Sequence, residues 1–272
     1  MPLHNARPRR ESHYLGRDMY TSGNRIAWLQ GPDASCAKIS PVPPHPWHLV
    51  LLGPPGVGKG TQAEKIIAEF GACHLSTGDV FRYAARDTSG HAPSPAMATA
   101  LAAMKRVELV SDATVVELVR ERIQCLTCQY GFLLDGFPRT LEQAQALDGI
   151  LALAGRKLDA AINYFASEAL IIERLSGRRV CRQCRTGYHI ANKPPRVTGR
   201  CDACGGELIQ RDDDKPAAIR IRLHAYAVTC GPVLEHYRQQ GLLREIDASG
   251  DPDAVFVHTR EMIQKLSLAT AR

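Results

Sequence analysis

The run His48-Leu49-Val50-Leu51-Leu52-Gly53-Pro54-Pro55-Gly56-Val57-Gly58-Lys59-Gly60-Thr61 decides how this 272-residue chain is read. Its first five residues form a short apolar block bounded by glycine and proline, and such a block reads as a strand buried on both faces of a parallel sheet. The glycines that follow let successive backbone amides turn inward on a polyphosphate. Lys59 then sets a point charge at the start of a helix that continues through Gln62-Ala63-Glu64-Lys65-Ile66-Ile67-Ala68. Strand, glycine-rich loop and helix in this order make a phosphate-binding P-loop, and imply a chain that handles nucleotide phosphates. The common form of the motif has Ser or Thr directly after the lysine, whereas here Gly60 intervenes before Thr61.

Downstream, strand and helix patterns alternate. Helices are expected from Lys59, after Thr77 and over Asp112 to Gln124, the last with Val115, Val116, Val119 and Ile123 on one face. A strand at Gly131 to Leu134, a helix after Arg139, a strand at Ala160 to Tyr164 and a helix at Ser167 to Leu175 follow. A long helix begins after Asp214, and the strand Leu242 to Ile246 and a helix after Pro252 close the chain. This alternation predicts an α/β fold, a parallel sheet covered by helices on both faces.

Between Leu175 and Asp214 the pattern breaks. Cys181-x2-Cys184 and Cys201-x2-Cys204, with sixteen residues between the pairs, have the spacing of a zinc ribbon: two tight knuckles converge to complete a tetrahedron of thiolates. Four cysteine ligands leave no open coordination position, so the expected zinc is structural. Cys125-x2-Cys128 has no second pair at ribbon distance and reads as turn or helix-surface cysteines; Cys36, Cys73 and Cys230 read as packing residues.

Composition sets the frame. The chain is 44% hydrophobic and 23% charged with a net charge of +6, and it has no apolar run of membrane-span length and no secretory h-region. An odd number of cysteines, nine, suits a reduced compartment with a metal site better than a disulfide framework. Residues 1–46 carry seven of the seventeen prolines and six Lys/Arg against three acids, and are expected to form a flexible extension; an organellar transit peptide and a start at Met19 are the alternatives. The expected setting is cytoplasmic.

Two further stretches add chemistry. His74-Leu75-Ser76-Thr77-Gly78-Asp79-Val80-Phe81-Arg82 puts a polar cap and an arginine on one helical start, and Gly131-Phe132-Leu133-Leu134-Asp135-Gly136-Phe137-Pro138-Arg139-Thr140 ends a buried strand with an acid, where a P-loop enzyme needs a carboxylate for the waters of magnesium. With the P-loop, and with Leu109-Val110-Ser111-Asp112, Gly177-Arg178-Arg179-Val180, Gln210-Arg211-Asp212-Asp213-Asp214 and Arg220-Ile221-Arg222-Leu223, the chain from about Leu49 onward resembles the adenylate kinases, in the form that carries a four-cysteine lid.

That resemblance implies a P-loop kinase core over 47–272, interrupted by an AMP-binding clamp at 76–110 and a zinc-binding lid at 177–214. It implies Mg2+-dependent transfer of the terminal phosphoryl group of ATP to AMP by a monomer, without nucleic acid or membrane. Gly56, Val57, Gly58, Lys59, Gly60 and Thr61 are then expected around the ATP phosphates, Arg174 and Gly250 at its adenine, Gly187 and Tyr188 on the ATP side, and Asp135 at magnesium through water. Thr77, Arg82, Glu108, Leu109, Val110, Gly136, Phe137, Pro138, Arg139 and Gln143 are expected to hold AMP. Lys59, Arg139, Arg178, Arg211 and Arg222 are the expected catalytic cations, with Arg211 and Arg222 also reaching AMP, while Asp213 and Asp214 tie the lid to the core. The chain departs from the family in having Val107 for a glycine and a longer stretch over Asp87 to Pro95. A kinase for another nucleoside monophosphate, and a zinc-ribbon ATPase that binds nucleic acid, are the competing readings.

Overall fold

The computed structural model describes residues 45–84, 93–106, 108, 110–122, 126–127, 129–184 and 186–270, without the side chains of 79, 82–84 and 267–270. The expected extension at 1–46 and the cysteines Cys36, Cys125 and Cys128 lie wholly or almost wholly outside these residues. Five parallel strands form the central sheet: β1 (His48–Leu52), β2 (Cys73–Ser76), β3 (Phe132–Asp135), β4 (Ala160–Phe165) and β8 (Leu243–Asp247), in the order β2-β3-β1-β4-β8. Because strand side chains alternate between faces, Val50 and Leu52 join one core with Leu75, Phe132, Leu134 and Ala161. Leu49 and Leu51 join another with Leu133, Ile162 and Tyr164. Burying each such leucine contributes about 1.5–3 kcal/mol, which is why β1 reads as an unbroken apolar run.

Helices cover both faces. On one side lie α1 (Lys59–Phe70) and α8 (Pro252–Thr270). On the other lie α3 (Pro95–Lys105), α4 (Asp112–Arg120), α5 (Leu141–Leu153) and the C-terminal half of α7 (Pro216–Gln239), with α2 (Thr77–Ala84) beside them. Side-chain caps set four of the starts: Ser94 for α3, Ser111 for α4, Thr140 for α5, and Ser167 for α6 (Glu168–Gly177). The face that α4 buries is Val115, Leu118 and Val119, with Val116 only partly buried, so Leu118 replaces Val116 in the expected stripe; Ile123 lies outside the described residues.

Three features were not visible in the pattern, and the first is α3, whose alanine-rich sequence carries little amphipathic contrast. The strand β2 is only four residues long and alternates buried and half-buried positions, and its polar His74 and Ser76 masked it as a helix approach. The insertion carries a small antiparallel sheet of its own, β6-β5-β7, from β5 (Arg178–Cys181), β6 (Gly187–His189) and β7 (Leu208–Ile209). Its strands are too short to show a period of two.

Gly131 shows how tightly the sheet is entered. It sits at φ +72° before β3, and a Cβ there would lie 2.3 Å from the Trp47 carbonyl oxygen. Gly131→Ala is expected to lower stability by at least about 2 kcal/mol, because both backbone strain and collision with backbone must be relieved. Urea denaturation should show a lower midpoint at unchanged slope.

Candidate functional site

Parallel strands end at one edge, and there the candidate residues gather. β1 leads into the P-loop, β2 into Thr77, β3 through Asp135 into Gly136–Arg139, β4 into α6, and β8 into the Ser249–Gly250 turn. Gly58 precedes α1 at φ +111° with nothing within 4 Å of where a Cβ would stand, so the loop turns its backbone toward open space at a helix N-terminus. Gly60 and Thr61, on the first turn of α1, are exposed, and Val57 is buried.

Lys59 Nζ donates to the carbonyls of Gly53 (2.6 Å) and Pro54 (2.9 Å). Burial, together with the positive charges of Arg139, Arg222 and Arg178, brings its pKa down to about 8, against the opposing pull of Asp135. Four cations are thus concentrated at one place. Asp135 closes β3 and pairs with His74 at 3.7 Å, and its charge acts on Lys59.

The arginines of the insertion are ordered by acids. Arg178, at the first residue of β5, is bidentate on Asp214 (2.7 and 2.5 Å), whose side chain is fully buried. Arg222 of α7 donates to the same carboxylate at 3.3 Å and to the Asp213 carbonyl at 2.8 Å. Arg211 is bidentate on Asp213 (2.8 and 2.5 Å). Burial opposes ionisation of Asp213, yet Arg211, Arg222 and Arg178 together hold its carboxyl below the ordinary range. The two ends of the insertion, Arg178 and Asp214, therefore meet at its base. Gln210 adds hydrogen bonds to the carbonyls of Ser176 and Asp214.

Arg174 bridges two loops of the same edge, donating to Val57 O and Gly250 O at 3.1 Å each. Thr77 donates to Gly136 O (3.0 Å), and Arg139 Nε to the same oxygen (2.7 Å). Phe137 is fully buried beneath them and is joined to Pro138 by a cis peptide. Gln143 is buried and doubly held: its Oε1 accepts from Arg139 N (2.8 Å) and its Nε2 donates to Asp112 Oδ1 (2.7 Å). Asp112 also accepts from Thr140 Oγ1 (2.6 Å). No local pattern announces the role of Asp112, since its partners lie 28 and 31 residues away.

Glu108 is exposed and paired with Arg106, Val110 is partly buried against the core, and Leu109 lies outside the described residues. Arg82 is on α2, with its side chain outside the description. Gly187 is exposed on β6. The ring of Tyr188 is buried inside the insertion with Cys181, Cys201 and Leu208, and its hydroxyl accepts from Asp202 N (2.7 Å) and stands 3.4 Å from Cys201 Sγ. The insertion needs that ring because its strands are too short to supply another core.

The four cysteines of the insertion converge. Their sulfurs lie within 4.8 Å of one another, with Cys181 to Cys204 at 3.5 Å and Cys184 to Cys201 at 3.4 Å, and none is in a disulfide. Bonds of about 2.3 Å to one tetrahedral ion put sulfurs about 3.8 Å apart, so the residues fit a metal ion. Among the described residues this is the group that can hold one, and no helix is long and apolar enough to cross a membrane.

A sequence model of the family described as adenylate kinase matches residues 51–242. The chain is similar to the adenylate kinase of Carboxydothermus hydrogenoformans, 48% identical over 217 residues that cover 80% of this chain and 99% of that one. It is 45% identical over 219 residues to that of Syntrophomonas wolfei, covering 80% and 100%. With that of Archaeoglobus fulgidus it shares 40% over 219 residues, covering 80% and 99%.

The state of Lys59 yields a measurable linkage. A lysine that titrates near 8 in the free protein and is drawn back toward its ordinary value of 10.5 by bound phosphate must take up a proton on binding. If Lys59 meets the phosphates, affinity for MgATP is expected to be greatest below pH 8 and to fall as the pH rises above it. Calorimetry at pH 8.5 in two buffers of different ionisation heat should show proton uptake, and Lys59→Met should bind more weakly without it.

Proposed function

This chain belongs to the adenylate kinase family, enzymes that move the terminal phosphoryl group of ATP to AMP to give two ADP, and from that premise we propose how its residues divide the work. The P-loop, Gly56 to Thr61, wraps the ATP phosphates, and Lys59 leaves the Gly53 and Pro54 carbonyls to span the transferring group. Arg174 and the Gly250 carbonyl border the ATP adenine. Thr77, Arg82, the Glu108 to Val110 backbone, Gly136 to Arg139 and Gln143 hold AMP. Arg178, Arg211 and Arg222 complete the cationic ring. What carries the reading is the meeting of Lys59, Arg139, Arg178 and Arg222 at the edge where five parallel strands end.

The chemistry needs little from the protein beyond placement and charge. The acceptor is a phosphate oxygen whose second ionisation lies near pH 6, so at neutral pH it attacks without a general base. The residues hold two nucleotides in line and stabilise charge spreading over the transferring group. Mg2+ arrives with ATP and neutralises its phosphates; Asp135 is the carboxylate placed to bind its waters.

Water must be excluded or ATP is hydrolysed. In this reading 177–214 is the lid over ATP and 76–110 the clamp over AMP, each closing on its nucleotide. The lid holds zinc, the ion that four thiolates in a tetrahedron favour. With Tyr188 buried, the described part of the ribbon presents no aromatic platform on which bases could stack, which favours small nucleotides over nucleic acid as the substrates.

Two measurements test this. With MgATP and a panel of AMP, IMP, GMP, UMP and CMP, AMP should be preferred by roughly five- to 150-fold, the range that follows from leaving a buried amide unpaired. Arg139→Ala should depress turnover with every acceptor, because each carries the same phosphate. Equal use of UMP or CMP would sink the assignment of AMP. For the metal, elemental analysis should find one zinc per chain in the unmodified protein and none after Cys181→Ser with Cys204→Ser, with a lower Tm. Unchanged zinc content would move the site elsewhere.

A further inference from the structure

The side-chain amide of Gln143 is gripped from both flanks, and we propose that Asp112 is a positioning residue that fixes it to read a 6-amino purine and refuse a 6-oxo purine. The inference rests on the adenine-reading role proposed for Gln143. An amide carries its oxygen and its NH2 in nearly equivalent places, and half a turn about its last bond exchanges them. Adenine offers an N6–H donor beside the N1 acceptor, while hypoxanthine offers an O6 acceptor beside an N1–H donor. An amide free to turn would pair with either.

Gln143 is not free to turn. On one flank Arg139 N–H, which can only donate, faces Oε1 at 2.8 Å; on the other the Asp112 carboxylate, which when ionised can only accept, takes Nε2 at 2.7 Å. Turning the amide would set N–H against N–H and oxygen against carboxylate. Only 4% of Gln143 is exposed, so water has little room to replace the lost bonds. Each flank uses one position of the amide, which leaves one N–H and one lone pair for a base. Asp112 is itself held, since its other oxygen accepts from Thr140 Oγ1 at 2.6 Å, and that hydroxyl oxygen accepts from Gln143 N at 3.3 Å as the cap of α5. The backbone flank is present in any variant, whereas the carboxylate flank depends on one side chain.

Asp112→Asn tests this with little change of volume. If the Thr140 hydroxyl keeps its acceptor, the new NH2 faces Gln143 and favours the turned amide. The measured quantity is the ratio of kcat/KM for AMP to that for IMP at saturating MgATP. It should fall roughly tenfold or more, with the change in the acceptor KM. A merely structural role would weaken both acceptors alike, and an unchanged ratio overturns the proposal. Should the Asn variant not fold, Asp112→Ala removes the same flank and carries the same expectation. In the unmodified protein, nuclear magnetic resonance should show one Gln143 side-chain NH2 with one proton protected from exchange; two interconverting sets would also overturn it. Gln143→Ala separates the two claims. If it leaves the preference for AMP over IMP intact, the adenine-reading role fails. If it abolishes the preference while Asp112→Asn retains it, the positioning role alone fails.

Discussion

Gathering positive charge where water is scarce is unfavourable until an anion arrives, and the architecture is organised around that constraint. Lys59 registers it, since burial and three arginines pull its proton affinity down by a wide margin. Acids offset part of the repulsion from behind: Asp135 beside Lys59, and Asp213 and Asp214 behind Arg178, Arg211 and Arg222. The pairing does more than neutralise. A guanidinium held bidentate by a buried carboxylate keeps its remaining donors pointed in a defined direction, which is the order that the proposed phosphate contacts require.

The insertion is a second answer to a shortage, in this case of apolar surface. Three strands of two to four residues cannot bury a core, and the ring of Tyr188 with two of the cysteines makes up a small one. A metal held by four thiolates would fold this unit locally, independent of the main sheet. At its base the Arg178–Asp214 pair joins the point where the chain leaves the core to the point where it returns. In the proposed lid role, a unit joined to the core at such a base would move as one body to cover a nucleotide.

Much was legible along the chain because the relevant physics is local. A buried parallel strand is apolar throughout, a P-loop needs glycines at set spacing, and a ribbon needs paired cysteines on tight turns; each leaves its mark within about twenty residues. The strands β1, β3, β4 and β8, the helices that flank them apart from α3, and the sulfur cluster were therefore expected from sequence. β2 was not, because four residues with two polar ones carry too little pattern, and the partner that makes them a strand is β3, more than fifty residues on.

What the sequence by itself determined was chemistry by type: which segment turns amides on a phosphate, which thiols can share an ion, which arginines are available. Only the tertiary structure decided how those groups are aimed. It turned Tyr188 into the insertion because that unit had nothing else to bury, and it set Arg178 and Arg222 on a single buried carboxylate. It also closed Asp112, Thr140, Arg139 and Gln143 into one circuit across two helix starts. The orientation of a hydrogen-bonding group is set by neighbours distant in sequence, and spacing along the chain does not encode it.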